Sequence, residues 1–127
     1  MPVELNHTIV ASRDQAETAS FIAGVLGLPD PGRYGPFLVV QTANGVSLDV
    51  ADRPGDIVAQ HYAFLVSETE FDEIWGRIRE RGVEFYADPS RKRPGEINTN
   101  DGGRGLYFEE PSGHLLEIIT RPYGSGG

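Results

Sequence analysis

The 127-residue chain has no cysteine, one methionine and one tryptophan. Without a thiol there is no disulfide framework, thiolate nucleophile, iron–sulfur cluster or thiolate-rich zinc site, so any metal must be held by nitrogen and oxygen. Basic residues are scarce as well: 11 Lys plus Arg stand against 19 Asp plus Glu, a formal net charge of −8. That balance disfavours phosphate backbones and anionic lipid surfaces, so neither nucleic acid nor membrane is expected as a partner. No apolar run approaches membrane-spanning length, and MPVELNHTIV has no basic stretch leading into an apolar one. A soluble, cytoplasmic protein is expected. The 39% of hydrophobic residues suffice for a core, and one domain over 1–127 is expected.

What is present is a pattern that runs twice. Residues 4–10 (ELNHTIV) read as a strand, and 13–26 as a helix, opened by a Ser12/Gln15 capping box and closed at Gly27. Residues 36–42 and 46–51 flank Asn44-Gly45, a strong hairpin signal. After a polar connection, 61–66 (HYAFLV) again reads as a strand, and Ser67 with Glu70 as a capping box. Phe71, Ile74, Trp75 and Ile78 then fall on one helical face. A short strand (83–87), a polar loop (88–103) and a hairpin of 105–109 with 115–120 follow, and the closing PYGSGG is expected to be loose. The chain thus reads as an internal repeat, 1–55 and 58–121, each copy a strand, a helix and two or three strands.

Two of the three histidines, His7 and His61, occupy the same slot, the first strand of each copy. Glu117 lies in LLEIIT among apolar neighbours, where a carboxylate is costly to desolvate unless something compensates it. Its counterpart in copy one is Asp49 of VSLDVA. Two imidazoles and one or two carboxylates are what a divalent first-row cation (Zn, Ni, Fe, Mn or Co) takes in the absence of sulfur. An incomplete sphere leaves room for water or substrate. His7, His61, Glu117 and Asp49 are therefore the candidate metal ligands. Glu117 and Asp49 are also the candidate bases. His114, at a turn, is left outside the site, and the basic run SRKRP (90–94) reads as a loop feature.

LNHTIV, the VLGL helix end, NGVSLDV, QHYAFLV and above all YFEEPSGHLLEII resemble segments of the vicinal oxygen chelate superfamily, the glyoxalase, bleomycin-resistance and extradiol dioxygenase group. The resemblance implies an α+β fold of two βαβββ modules forming an open, cup-like sheet around one metal site, usually within a homodimer, with a small-molecule substrate. It puts His7, His61 and Glu117 on ligand positions. Asp49 falls on or beside a fourth position, which glyoxalase I fills with glutamate or glutamine and the extradiol dioxygenases leave unused; a one-residue slip would turn Leu48 inward instead. Leu106-Tyr107, Glu110-Pro111, Gly113 and Glu117 resemble the ring-cleaving dioxygenase signature, with Asn100 where that signature has a histidine. Tyr62, Tyr107 and Asn100 are expected at the substrate. The first expectation is a glyoxalase-type lyase or isomerase acting on adjacent oxygens. The alternatives are an Fe(II) extradiol-type dioxygenase and a metal-free sequestering resistance protein.

Overall fold

A computed structural model describes residues 2–126. The chain divides into two compact units between Val58 and Ala59. The first holds β1 (His7–Ser12), α1 (Gln15–Leu26), β2 (Gly32–Tyr34), β3 (Phe37–Gln41) and β4 (Ser47–Asp52). The second holds β5 (His61–Leu65), α2 (Glu68–Glu80), β6 (Phe85–Tyr86), β7 (Gly105–Glu109) and β8 (Leu115–Ile119). Each unit is a four-stranded sheet of the same topology, β1-β4-β3-β2 and β5-β8-β7-β6, with the first and last strands parallel and the others antiparallel. The fold is α+β, two βαβββ modules.

Each sheet has one face against its helix. In the first unit Val10, Val40, Leu48 and Val50 pack with Ala19, Ile22 and Val25 of α1, all at most 4% exposed. In the second, Leu106, Phe108, Leu116 and Ile118 are fully buried, as are Phe71 and Ile78, with Ile74 at 1%. The period-2 alternation of a strand sends the intervening residues to the other face. Those residues include the candidate ligands His7, Asp49, His61 and Glu117.

The helix starts differ in how they are made. Ser67 accepts from the Glu70 amide and the Glu70 carboxylate accepts from the Ser67 amide, the capping box expected from sequence. Replacing Ser67 by alanine is expected to destabilise the unit by about 1 kcal/mol, read from urea midpoints. At α1 the expected Ser12/Gln15 box does not form. Asp14 is the cap, accepting from the amides of Ala16 and Glu17. Ser12 instead donates to the Ala51 carbonyl, and Gln15 donates to those of Pro36 and Val50 while accepting from Arg33. Gln15 is thereby an internal tie between helix and sheet. Gly27 closes the helix in the left-handed conformation (φ 71°), which glycine adopts without a Cβ clash.

A candidate metal centre

The two sheets carry the candidate ligands at matching register positions. In the first, His7 pairs with Ser47 and Ile9 with Asp49; in the second, His61 pairs with Leu115 and Ala63 with Glu117. In both, the carboxylate lies opposite the residue two along from the histidine, on the histidine's face of the sheet. Asp49 is therefore the register counterpart of Glu117. Leu48 points to the α1 side and is 4% exposed.

Central strands hide the carboxylates and edge strands expose the histidines. Asp49 and Glu117 are 8% and 5% exposed, while the His61 side chain is 46% exposed. Asp49 accepts from the Ser47 hydroxyl at 2.9 Å. Glu117 faces His61 Nε2 at 3.0 Å. It also accepts from the phenol of Tyr107, its neighbour across the β7–β8 ladder. Burial, the Glu117 charge and that hydrogen bond push the Tyr107 phenol up to about 12, so it remains a donor throughout the neutral range. The His61 ring stacks on Tyr107, centroids 5.8 Å apart.

The histidine contacts supply a test of the chemistry. His61 Nδ1 lies 3.1 Å from the Leu115 carbonyl, which can only accept, so Nδ1 carries a proton. Nε2 then faces a second acceptor, the Glu117 carboxylate. A neutral imidazole has one N–H, so this arrangement needs either a second proton or a cation between Nε2 and Oε1. Two ligand atoms in adjacent positions on an ion at about 2.1 Å stand roughly 3.0 to 3.4 Å apart, and the observed 3.0 Å suits them. In the other unit His7 Nδ1 is 2.7 Å from Asn6 Oδ1. Both histidines thus have Nδ1 within hydrogen-bond distance of an oxygen, and in His61 the other ring nitrogen faces Glu117.

The remaining expected residues are placed less uniformly. Tyr107 shares the face of His61 and Glu117, and Tyr62 does not: it is adjacent to His61 in β5, pairs with Leu116, and meets His114 edge-on at 5.8 Å. Burial and then the Glu110 charge raise its phenol pKa. Tyr62, expected with Tyr107 and Asn100 at the substrate, thus lies on the face of β5 opposite His61. Asn100 is exposed in a 3₁₀ turn (Asn100–Gly102), its amide donating to Asn98. Asn98 was not anticipated, yet it is 6% exposed and ties the long loop to the Ala87 carbonyl and, through its backbone, to Gly105. Glu110 (2% exposed) and His114 (0%) were also missed as buried polar groups. Among the described residues no three His, Asp or Glu side chains form a group able to hold a metal ion. Within each unit the structure places one histidine and one carboxylate on one face.

Residues 4–118 match the family model of the Glyoxalase/Bleomycin resistance protein/Dioxygenase superfamily. The chain belongs to this superfamily. Among solved structures it is similar to oxidase ChaP-H2 (63% identity, TM-score 0.97, all of both chains) and oxidase ChaP-H1 (61%, TM-score 0.95, 97% of this chain and 99% of that one). Among curated proteins it is 28% identical to the glutathione transferase FosA of Serratia marcescens, over 90% of this chain and 78% of that protein. It is 38% identical to the metallothiol transferase FosB of Shouchella clausii (strain KSM-K16) over 47% of its own length, and spans 37% of that protein. Relatives of these kinds are enzymes of varied chemistry on one fold.

Proposed function

We propose that the protein is a metal-dependent oxidase or dioxygenase of a small molecule, with His7, His61 and Glu117 as ligands of one divalent cation and Asp49 as a fourth ligand or base. The observation that carries the metal assignment is His61, whose two ring nitrogens both face oxygen acceptors. The oxidative branch is favoured by identity above 60% to two proteins named as oxidases. Bound there, a divalent cation polarises adjacent substrate oxygens and, as Fe(II) with two histidines and one carboxylate, supports oxygen chemistry.

The chain's own residues supply the rest. Leu115 and Asn6 fix the imidazole tautomers, and Tyr107 fixes one orientation of the Glu117 carboxylate. The Tyr107 ring forms a wall beside His61. We place the working protein in the cytoplasm as a homodimer. The test is oxygen uptake: protein loaded anaerobically with Fe(II) and offered a panel of catechols should consume oxygen on admission of air, and no uptake with any of them counts against this reading.

Glu117 also supports a second reading, the glyoxalase-type one, because a carboxylate on the metal can act as a base. Anaerobic conversion of methylglyoxal hemithioacetal, independent of oxygen, would select it. Elemental analysis of protein purified without chelator separates both from a sequestering protein, which would be metal-free.

A further inference from the structure

His114 is fully buried and stands outside the candidate ligand set. Its Nδ1 accepts from the Gln60 amide at 2.9 Å, so Nδ1 is unprotonated and the neutral ring carries its proton on Nε2. Two further contacts complete the junction. The Leu115 amide donates to the Gln60 carbonyl at 2.9 Å, and His61 Nδ1 lies 3.1 Å from the Leu115 carbonyl. Residues 60–61 are thereby docked on residues 114–115. The His114 imidazole stands where the strand ladder has run out. β8 begins at Leu115, opposite His61, so the Gln60 amide lies one step before the first paired residues. A side chain there supplies the acceptor that a strand carbonyl supplies further along. Tyr62 meets the His114 ring edge-on at 5.8 Å and restrains its rotation.

The first unit makes the same rung without that tie. The Ser47 amide donates to the Asn6 carbonyl at 3.0 Å, the counterpart of Leu115 and Gln60, but the residue before Ser47 is Val46, whose side chain has no acceptor. There the imidazole has a local partner, Asn6 Oδ1, 2.7 Å from His7 Nδ1. In the second unit the oxygen that meets the imidazole is a backbone carbonyl of a different strand, so the aim of His61 depends on where the start of β5 sits against β8. β5 is an edge strand and His61 is its first residue, the place where a strand opens most readily.

We propose that His114 is the positioning residue of His61. By holding the Gln60 amide it pins the start of β5, keeps the Leu115 carbonyl on His61 Nδ1 and leaves Nε2 aimed at Glu117 Oε1, 3.0 Å away. This rests on the reading of His61 as a metal ligand. It gives a buried histidine a role that closing the junction does not by itself require, since Val46 occupies the matching position without an acceptor.

The test sets His114→Phe, which keeps a ring and removes the acceptor, against His114→Asn, whose Oδ1 stands as many bonds from Cβ as Nδ1 does. At a temperature where both variants are folded by circular dichroism, Co(II) affinity should fall about tenfold in His114→Phe and stay within about threefold of wild type in His114→Asn. The visible Co(II) band should shift only in His114→Phe. A purely structural histidine makes affinity follow Tm instead. A loss in His114→Asn as large as in His114→Phe overturns the proposal, as does wild-type affinity in His114→Phe. In metal-free wild type the Gln60 amide should exchange roughly tenfold more slowly than the Asn6 amide, corrected for intrinsic rates, and lose that protection in His114→Phe. Equal rates in wild type overturn the proposal without recourse to any variant. If wild type takes up no Co(II), the proposed metal site fails, and His114 is judged by metal-free protein alone. There the His61 Nδ1–H signal in nitrogen-15 spectra should be present in wild type and weakened in His114→Phe, and an unchanged signal counts against the positioning role.

Discussion

With Glu117 a ligand of the proposed cation, replacing it by alanine should abolish metal binding and leave the fold standing. Glu117 is 5% exposed in a central strand, so a change there would ordinarily be expected to damage the sheet. Two features argue otherwise. The group lost is a buried charge whose own desolvation opposes folding, and its partner His61 is 46% exposed at the side chain and returns to water rather than being stranded. Metal content measured after purification without chelator should fall from about one ion per chain to none, and metal-dependent turnover should fall by more than the ~10–100-fold typical of losing a second-sphere partner. Tyr107→Phe supplies that milder case: it removes the phenol that orients Glu117 and keeps the ring stacked on His61. Its loss of metal affinity should stay near ~10-fold. Unchanged metal in Glu117→Ala would remove the carboxylate from the ligand set and with it the oxidase reading.

Much of the fold is legible because local signals agree with tertiary ones. The Ser67/Glu70 box, the Asn44-Gly45 turn and the four-residue apolar face of α2 each specify an element without help from distant residues. β2 (Gly32–Tyr34) is not legible: its three residues are all exposed and sit between prolines, so they carry no alternation to read. The start of α1 is misread because Ser12 and Gln15 have the spacing of a capping box, while the β4 backbone claims both side chains. Glu117 shows in sequence because its neighbours are apolar. Glu110 and His114 do not, because a turn residue is buried only through partners far away in the chain, here Gln60 and Tyr62. The placing of Tyr62 needed no structure. It is one residue from His61 in a strand, and period-2 alternation sends it to the opposite face.

Glu110→Ala should be the most damaging single change to stability, and it acts on the same site from a distance. Glu110 is 2% exposed in the turn between β7 and β8, where its two carboxylate oxygens accept from the amides of Ser112 and His114 at 2.9 and 2.8 Å. The turn sets the start of β8: His114 Nδ1 accepts from the Gln60 amide, and the Leu115 amide donates to the Gln60 carbonyl. Those contacts fix the register in which Leu115 meets His61 and Glu117 meets Ala63. Removing the carboxylate leaves two amides without a charged acceptor in a site closed to water, a loss of about 3 to 5 kcal/mol. For a unit of this size that corresponds to a fall in Tm of roughly 15 °C or more, followed by circular dichroism. Glu110→Gln keeps one acceptor and the shape, so its fall should be about half as large. Metal affinity should decline in both variants in step with unfolding, unlike in Glu117→Ala, where metal is lost from a protein that still melts near the wild-type temperature. A Glu110→Ala protein melting within about 3 °C of wild type would mean that water replaces the carboxylate at those amides, and the turn would then not be what holds Glu117 opposite Ala63.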